Sequence, residues 1–255
     1  MPAPALRHLL AAALLLALAP PAAAQAPRTP VDLALVLAVD ASGSIDAGEF
    51  RLQKEGIASA ITDREILAAI RSGPLRRIAI AYVEWGAPAG AAAVVGWTLV
   101  DGEASAHGFA AAVVAAPRSP QSFNALGDAI DLGTTLIGAC GCEPTRAVID
   151  VSGDNRDNRS LKPAPVARDA AVAAGITVNA LAILEDGRTA ASGRPWLVEN
   201  YERDVIGGPG AFVIAAQTRE DFTRALRHKL IREIAAAPAD GAAPRLAAGP
   251  ADPPR

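Results

Sequence analysis

Short apolar runs alternate with amphipathic stretches along most of this chain. Residues 31–39 (VDLALVLAV) are apolar at nearly every position, the pattern of a central strand buried on both faces. Residues 77–84, 94–99, 147–151, 176–183 and 211–216 predict further strands. Helical spacing predicts helices over 49–61, 63–72, 103–115, 126–137, 166–174, 196–205 and 220–235. Gly73-Pro74 stops the second of these, and Gly175 stands where a helix C-terminus favours glycine. Strands alternating with helices imply crossover connections. The expected fold is therefore α/β, a doubly wound, mostly parallel, Rossmann-like sheet with helices on both faces. One domain covers 31–235, and no internal repeat is present. In such sheets ligands bind where loops leave the carboxyl ends of the strands. The loops after Val39 and Val151 are rich in small oxygen-bearing side chains.

The two ends of the chain break this pattern. Arg7 and His8 precede an apolar run over 9–19, and Ala22-Ala23-Ala24 offers a peptidase small residues, so 1–24 reads as a secretory signal peptide. The run is shorter than the roughly 20 residues that span a bilayer, and Pro20-Pro21 interrupt it. No membrane span is expected after cleavage. Residues 25–30 form a linker, and 236–255, rich in Ala and Pro without periodicity, a disordered tail. The expected location is periplasmic or secreted. The formal net charge of -3, with both signs interspersed, gives no basic footprint for nucleic acid.

Export bears on the two cysteines. Cys140 and Cys142 flank Gly141 and form either a local disulfide or two plain thiols; no histidine has the spacing of a zinc site. Trp85, Trp97 and Trp196 fall on strand or helix positions that favour full or partial burial.

Asp40-Ala41-Ser42-Gly43-Ser44 places three oxygen side chains at alternate positions directly after the first strand, with Gly43 permitting the turn. Hard cations take oxygen ligands, at about 2.0–2.1 Å for Mg²⁺. Two hydroxyls beside few carboxylates leave such an ion under-neutralised, so it attracts an external anion. Ser44 and Asp46 also suit helix capping ahead of Glu49.

Residues 36–44 (VLAVDASGS) resemble the first strand and metal-ion-dependent adhesion site (MIDAS) of the von Willebrand factor A superfamily. That resemblance implies the two serines as direct ligands, with Asp40 often acting through water. It also implies an aspartate from a later loop, a threonine from another, and a final position filled by a partner's carboxylate. Residues 148–154 resemble the strand ending in that aspartate, which assigns Asp154. Asp150 is the competitor, but it lies inside the apolar run, and Ser152-Gly153-Asp154-Asn155 also suits a turn. The segment Asn124-Ala125-Leu126-Gly127-Asp128 departs from the superfamily pattern, with Asn124 in the threonine position. Its amide oxygen is either a ligand or an N-cap. Residues 77–85, 148–158 and the last helix look closest to an exported bacterial branch of unknown function.

The expected metal set is Asp40, Ser42, Ser44, Asn124 and Asp154, holding one Mg²⁺ (or Mn²⁺ or Ca²⁺). The expected function is a non-enzymatic binding module whose ion meets a Glu or Asp carboxylate on a protein partner. A metal-dependent hydrolase and a scaffold with a decayed site are the alternatives. No G-x-S-x-G elbow, Walker or dinucleotide glycine pattern occurs. His228 stands between Arg227 and Lys229, a setting typical of a solvated helix face.

Overall fold

In the computed structural model, which describes residues 27–184, 187–218 and 221–235, the apolar runs pair into one six-stranded sheet. Its strands are β1 (Thr29–Asp40), β2 (Ile78–Trp85), β3 (Ala92–Val100), β4 (Cys142–Gly153), β5 (Ile176–Ile183) and β6 (Val213–Ala216). Their spatial order is β3-β2-β1-β4-β5-β6. Every neighbouring pair is parallel except β2 with β3. The expected signal peptide and tail lie outside the described residues.

The helices are α1 (Ala47–Ile61), α2 (Arg64–Ser72), α3 (Glu103–Ala115), α4 (Leu126–Gly138), α5 (Ala164–Ala173), α6 (Trp196–Asp204) and α7 (Phe222–Ala235). The period of two along β1 sorts them into layers. Leu33, Leu35, Leu37 and Val39 face a core shared with α1, α2, α3 and α7. Val36 and Ala38 face a second core shared with α4, α5 and α6. With both faces covered, β1 has no solvated side, which is why its sequence reads as a continuous apolar run.

One strand boundary departs well from expectation. β4 begins at Cys142, five residues before its apolar segment, because pairing with the start of β1 (Thr29 with Cys142, Val31 with Pro144) supplies the strand that Glu143, Pro144 and Arg146 do not advertise. A Cys140–Cys142 disulfide precedes it, with Gly141 at φ +67° between the two cysteines. Of the tryptophans, Trp85 is fully buried, and Trp97 and Trp196 are partly so.

β1 sits at the point where the chain reverses its direction across the sheet. From β1 it moves to β2 and β3 on one side, then returns to β4 on the other. Crossovers diverge there and leave a crevice above the carboxyl ends of β1 and β4. Both oxygen-rich loops open into it.

Candidate functional site

Three loops meet at this edge. The first leaves β1 at Asp40, whose side chain lies on the face covered by α6. Asp40 and Ser42 are fully buried, and Ser44 is exposed. The Ser42 amide donates to Asp40 Oδ1 at 2.8 Å, and the Asp154 amide also donates to the Asp40 carboxylate. The Ser42 and Ser44 hydroxyl oxygens are 3.1 Å apart. Capping of α1 falls to Asp46, which accepts from the Gly48 and Glu49 amides, while Glu49 returns a bond to the Asp46 amide. Ser44 is therefore not spent on the helix end.

Gly43 is needed for closeness. Its φ is not left-handed; a Cβ there would stand 3.2 Å from the Ser122 carbonyl oxygen, to which the Gly43 amide donates. Gly86, after β2, is pressed in the same way between Ser42 Cα (3.1 Å) and the Phe123 carbonyl oxygen (2.9 Å). These contacts seat the 119–125 loop against the first.

That loop carries Asn124, 8% exposed. It is not the cap of α4: the N-cap residue is Ala125, with no side-chain bond. The Ser160 hydroxyl accepts from the Gly127 and Asp128 amides at 2.8 and 3.3 Å instead, reaching the helix end from the loop after β4. Asn124 Oδ1 is left buried with no hydrogen-bond donor, although the Asn124 backbone is fixed on both sides by Asn158. Asp128 is a brace, accepting from the amides of Ala89, Leu161 and Lys162.

The third loop begins at Gly153. A Cβ there would stand 2.8 Å from Tyr201 Oη and 2.9 Å from the Trp85 ring, so the two aromatics form a floor that only glycine lets the backbone touch. Tyr201 donates to the Asn155 carbonyl at 2.9 Å and fixes the turn. Asp154 follows Gly153 and lies beside Asp40. Asp150 is elsewhere: it points to the opposite face of the sheet and meets Lys229 of α7. Lys229 is fully buried, whereas the neighbouring His228 is exposed, as its setting on the last helix suggested.

The electrostatics follow from this packing. Burial, and then the negative charge of Asp154, push the Asp40 carboxyl up to about 7 against the pull of the Ser42 and Asp154 amides. Burial and the charges of Asp40, Asp154 and Asp157 push the Tyr201 hydroxyl well above its ordinary range. Negative charge is concentrated at a dry edge where a cation would relieve it.

Several supporting residues escaped the sequence. Arg118 donates to the carbonyls of Ala41 and Ser42 at 2.9 and 2.8 Å and lies over the Phe50 ring, clamping the first loop from behind. Glu84 accepts from the Ser119 amide at 2.6 Å, and Lys54 donates to the Ala116 carbonyl. None of these has a telling spacing, because each acts across a loop distant in sequence. Among the described residues no group of three or more His, Cys, Asp and Glu forms a metal cluster. A cation at this edge would rest on two carboxylates with hydroxyl and amide oxygens.

The model of a family described as "Protein of unknown function (DUF1194)" matches residues 30–238. A search of curated proteins finds no match. Solved structures share the fold. Proximal thread matrix protein 1 of the mussel byssus aligns at TM-score 0.57 and 14% identity, over 83% of this chain and 48% of that one. The pilus adhesin SpaC from Lactobacillus rhamnosus GG aligns at 0.57 and 13%, over 83% and 31%. A von Willebrand factor type A protein from Catenulispora acidiphila aligns at 0.53 and 15%, over 80% and 43%. The chain thus spans half or less of these proteins. A further structure of the mussel protein is described as having a zinc-occupied MIDAS motif.

Proposed function

Because this chain belongs to the DUF1194 family of unknown function and has the von Willebrand factor A fold, we propose that it is an exported binding module. Its strand-end loops would hold one divalent cation, Mg²⁺ or alternatively Mn²⁺ or Ca²⁺, through which it binds a carboxylate of a protein partner. The observation that carries this reading is the Asn124 side chain. Its oxygen is buried without a donor, and buried acceptors are seldom left so unless water or an ion completes them. A hard cation seeks that neutral oxygen, and threonine is not required to supply it.

Ser42, Ser44 and Asn124 would supply uncharged oxygens, with Asp40 and Asp154 supplying charge, directly or through water. When bound, the ion offers an electrophilic position to an incoming carboxylate. With Asp40 acting through water, the ion would keep positive charge on its open side, and the exposed side by Ser44 is the entry for an acidic residue. The partner is then read by charge at the centre and by the loops around it. Phe123, 45% exposed with Arg159 over its ring, stands on the rim. The adhesin and matrix proteins that share the fold support a protein partner outside the cytoplasm. The reading of residues 1–24 as a cleaved leader supports export, with the binding domain over 31–235. No described helix is long and apolar enough to cross a membrane.

Both described histidines, His107 and His228, are exposed on α3 and α7, so neither stands at the loops as a base for hydrolysis. The test is capture of proteins from the exported fraction on immobilised protein in Mg²⁺. Capture should be lost in EDTA, in Asp154→Ala and on adding excess glutamyl peptide. Capture that survives all three would contradict an ion-bridged carboxylate.

A further inference from the structure

On the face of the sheet away from these loops, the core holds a group of charges that the ion site does not use. Lys229 of α7 is 0% exposed, and Asp150 of β4 and Glu233 of α7 are each 2% exposed. Lys229 Nζ lies 2.5 Å from Asp150 Oδ1 and 2.6 Å from Glu233 Oε1. Asn179 Nδ2 donates to the same Glu233 oxygen at 2.8 Å. The Phe212 ring lies 5.6 Å from Nζ, and its amide donates to Asn179 Oδ1. Neither Asp150 oxygen has a donor at hydrogen-bonding angles, Lys229 included, despite the short separation. The amine and the carboxyl group thus form a short, buried ion pair that lacks the angles of a hydrogen bond.

We propose that Lys229 and Asp150 are joined by an amide bond that the folded chain forms within itself, with Glu233 as the proton carrier. The ammonium of Lys229 first gives a proton to the Asp150 carboxylate, leaving a neutral amine and a neutral acid. The Nζ lone pair then attacks Asp150 Cγ and the C–N bond forms. A second proton leaves nitrogen through the Glu233 carboxyl group and reaches the departing hydroxyl, the C–O bond breaks, and one water is released. No oxidant or co-reactant is needed.

Two physical effects favour the step. Holding the amine beside the carboxyl group makes the condensation intramolecular, and well-oriented intramolecular reactions reach effective concentrations of about 10⁵–10⁸ M. A buried ion pair bears a desolvation penalty that a neutral amide does not. Burial, and then the charge of Asp150, push the Glu233 carboxyl up to about 7, against Lys229 and Asn179, so it can both hold and pass a proton near neutral pH. Arg146 donates to the Glu233 and Ile234 carbonyls at 2.8 and 3.1 Å and pins the end of the helix that carries the group. The product would tie the last helix covalently to a central strand.

Tryptic digestion of the denatured full chain, followed by mass spectrometry, decides the matter. Trypsin cannot cut after an acylated Lys229, so the expected product is peptide 147–156 branched to peptide 228–232, one water lighter than their sum. An unbranched 147–156 with cleavage after Lys229 would overturn the proposal. Asp150→Asn should form the same bond with release of ammonia instead of water. In Glu233→Gln, bond formation during refolding should slow by about 100-fold, the usual worth of a positioned acid–base group. An unchanged rate would overturn the role of Glu233.

Discussion

Replacing Asn124 by alanine separates the proposed ion site from the fold that carries it. In the metal-free protein the change removes a buried oxygen that no donor satisfies. Leaving such a group unpaired costs about 1–3 kcal/mol, while the lost side-chain packing offsets on the order of 1 kcal/mol. The metal-free variant should thus be as stable as the parent or slightly more so. With metal the sign reverses. An ion at 100 times its Kd stabilises the folded state by about 2.7 kcal/mol, and a tenfold loss of affinity removes about 1.4 kcal/mol of that. For a domain near 200 residues, 1 kcal/mol moves Tm by about 2–4 °C. The parent should gain about 5–10 °C on adding Mg²⁺ after EDTA treatment, and Asn124→Ala about half as much. Differential scanning fluorimetry reads both numbers in one plate. A variant that loses stability without metal, yet keeps the full Mg²⁺ shift, would make Asn124 a structural residue and not a ligand.

Three further outcomes follow from the same contacts. Ser160→Ala strips the cap from α4 and should lower stability by about 1 kcal/mol, as loss of an N-cap does, measurable by urea unfolding; no change would mean the hydroxyl is idle. Arg118→Ala frees the Ala41 and Ser42 carbonyls and should weaken Mg²⁺ binding about tenfold, in the range for residues that orient ligands. Equal affinity in parent and variant would discard the clamp. For pH, the Glu233 carboxyl is raised in the folded state from 4.5 to about 7, so between those values the folded protein holds a proton that the unfolded chain has released. Its stabilising contribution is complete below 4.5 and is lost as pH rises through about 7. Tm should fall between about pH 5 and 8, and Glu233→Gln should flatten that slope; an identical slope in both proteins would contradict it.

How far the sequence led depends on how local each signal is. The continuous apolar run of β1 announces a strand covered on both sides, and the alternation of strand and helix patterns is enough to place Asp40 and Asp154 at one sheet edge. Where pairing overrides composition, as at Cys142–Arg146, the pattern is silent. Asn124 was legible as a candidate but its role was not. Only the position of Ser160 over the α4 end, 36 residues downstream in the chain, shows that capping is done by another side chain. Arg118, Tyr201 and Trp85 support the loops from elements distant in sequence, so spacing could not reveal them. The burial of Lys229 was illegible for a related reason. It follows Arg227 and His228 in a polar run, yet its place on the inner face of α7 is set by Leu226, Leu230 and Glu233 at helical spacing.

Calorimetric titration of Mg²⁺ and Mn²⁺ into the EDTA-stripped protein reads directly whether the β1 and β4 loops hold an ion. A single saturable site in the parent that disappears in both Asp40→Ala and Asp154→Ala, and a carboxylate peptide that binds only the metal-loaded protein, is the predicted result. Absence of saturable heat with either ion, or a site untouched by both substitutions, would contradict an ion held between the β1 and β4 loops.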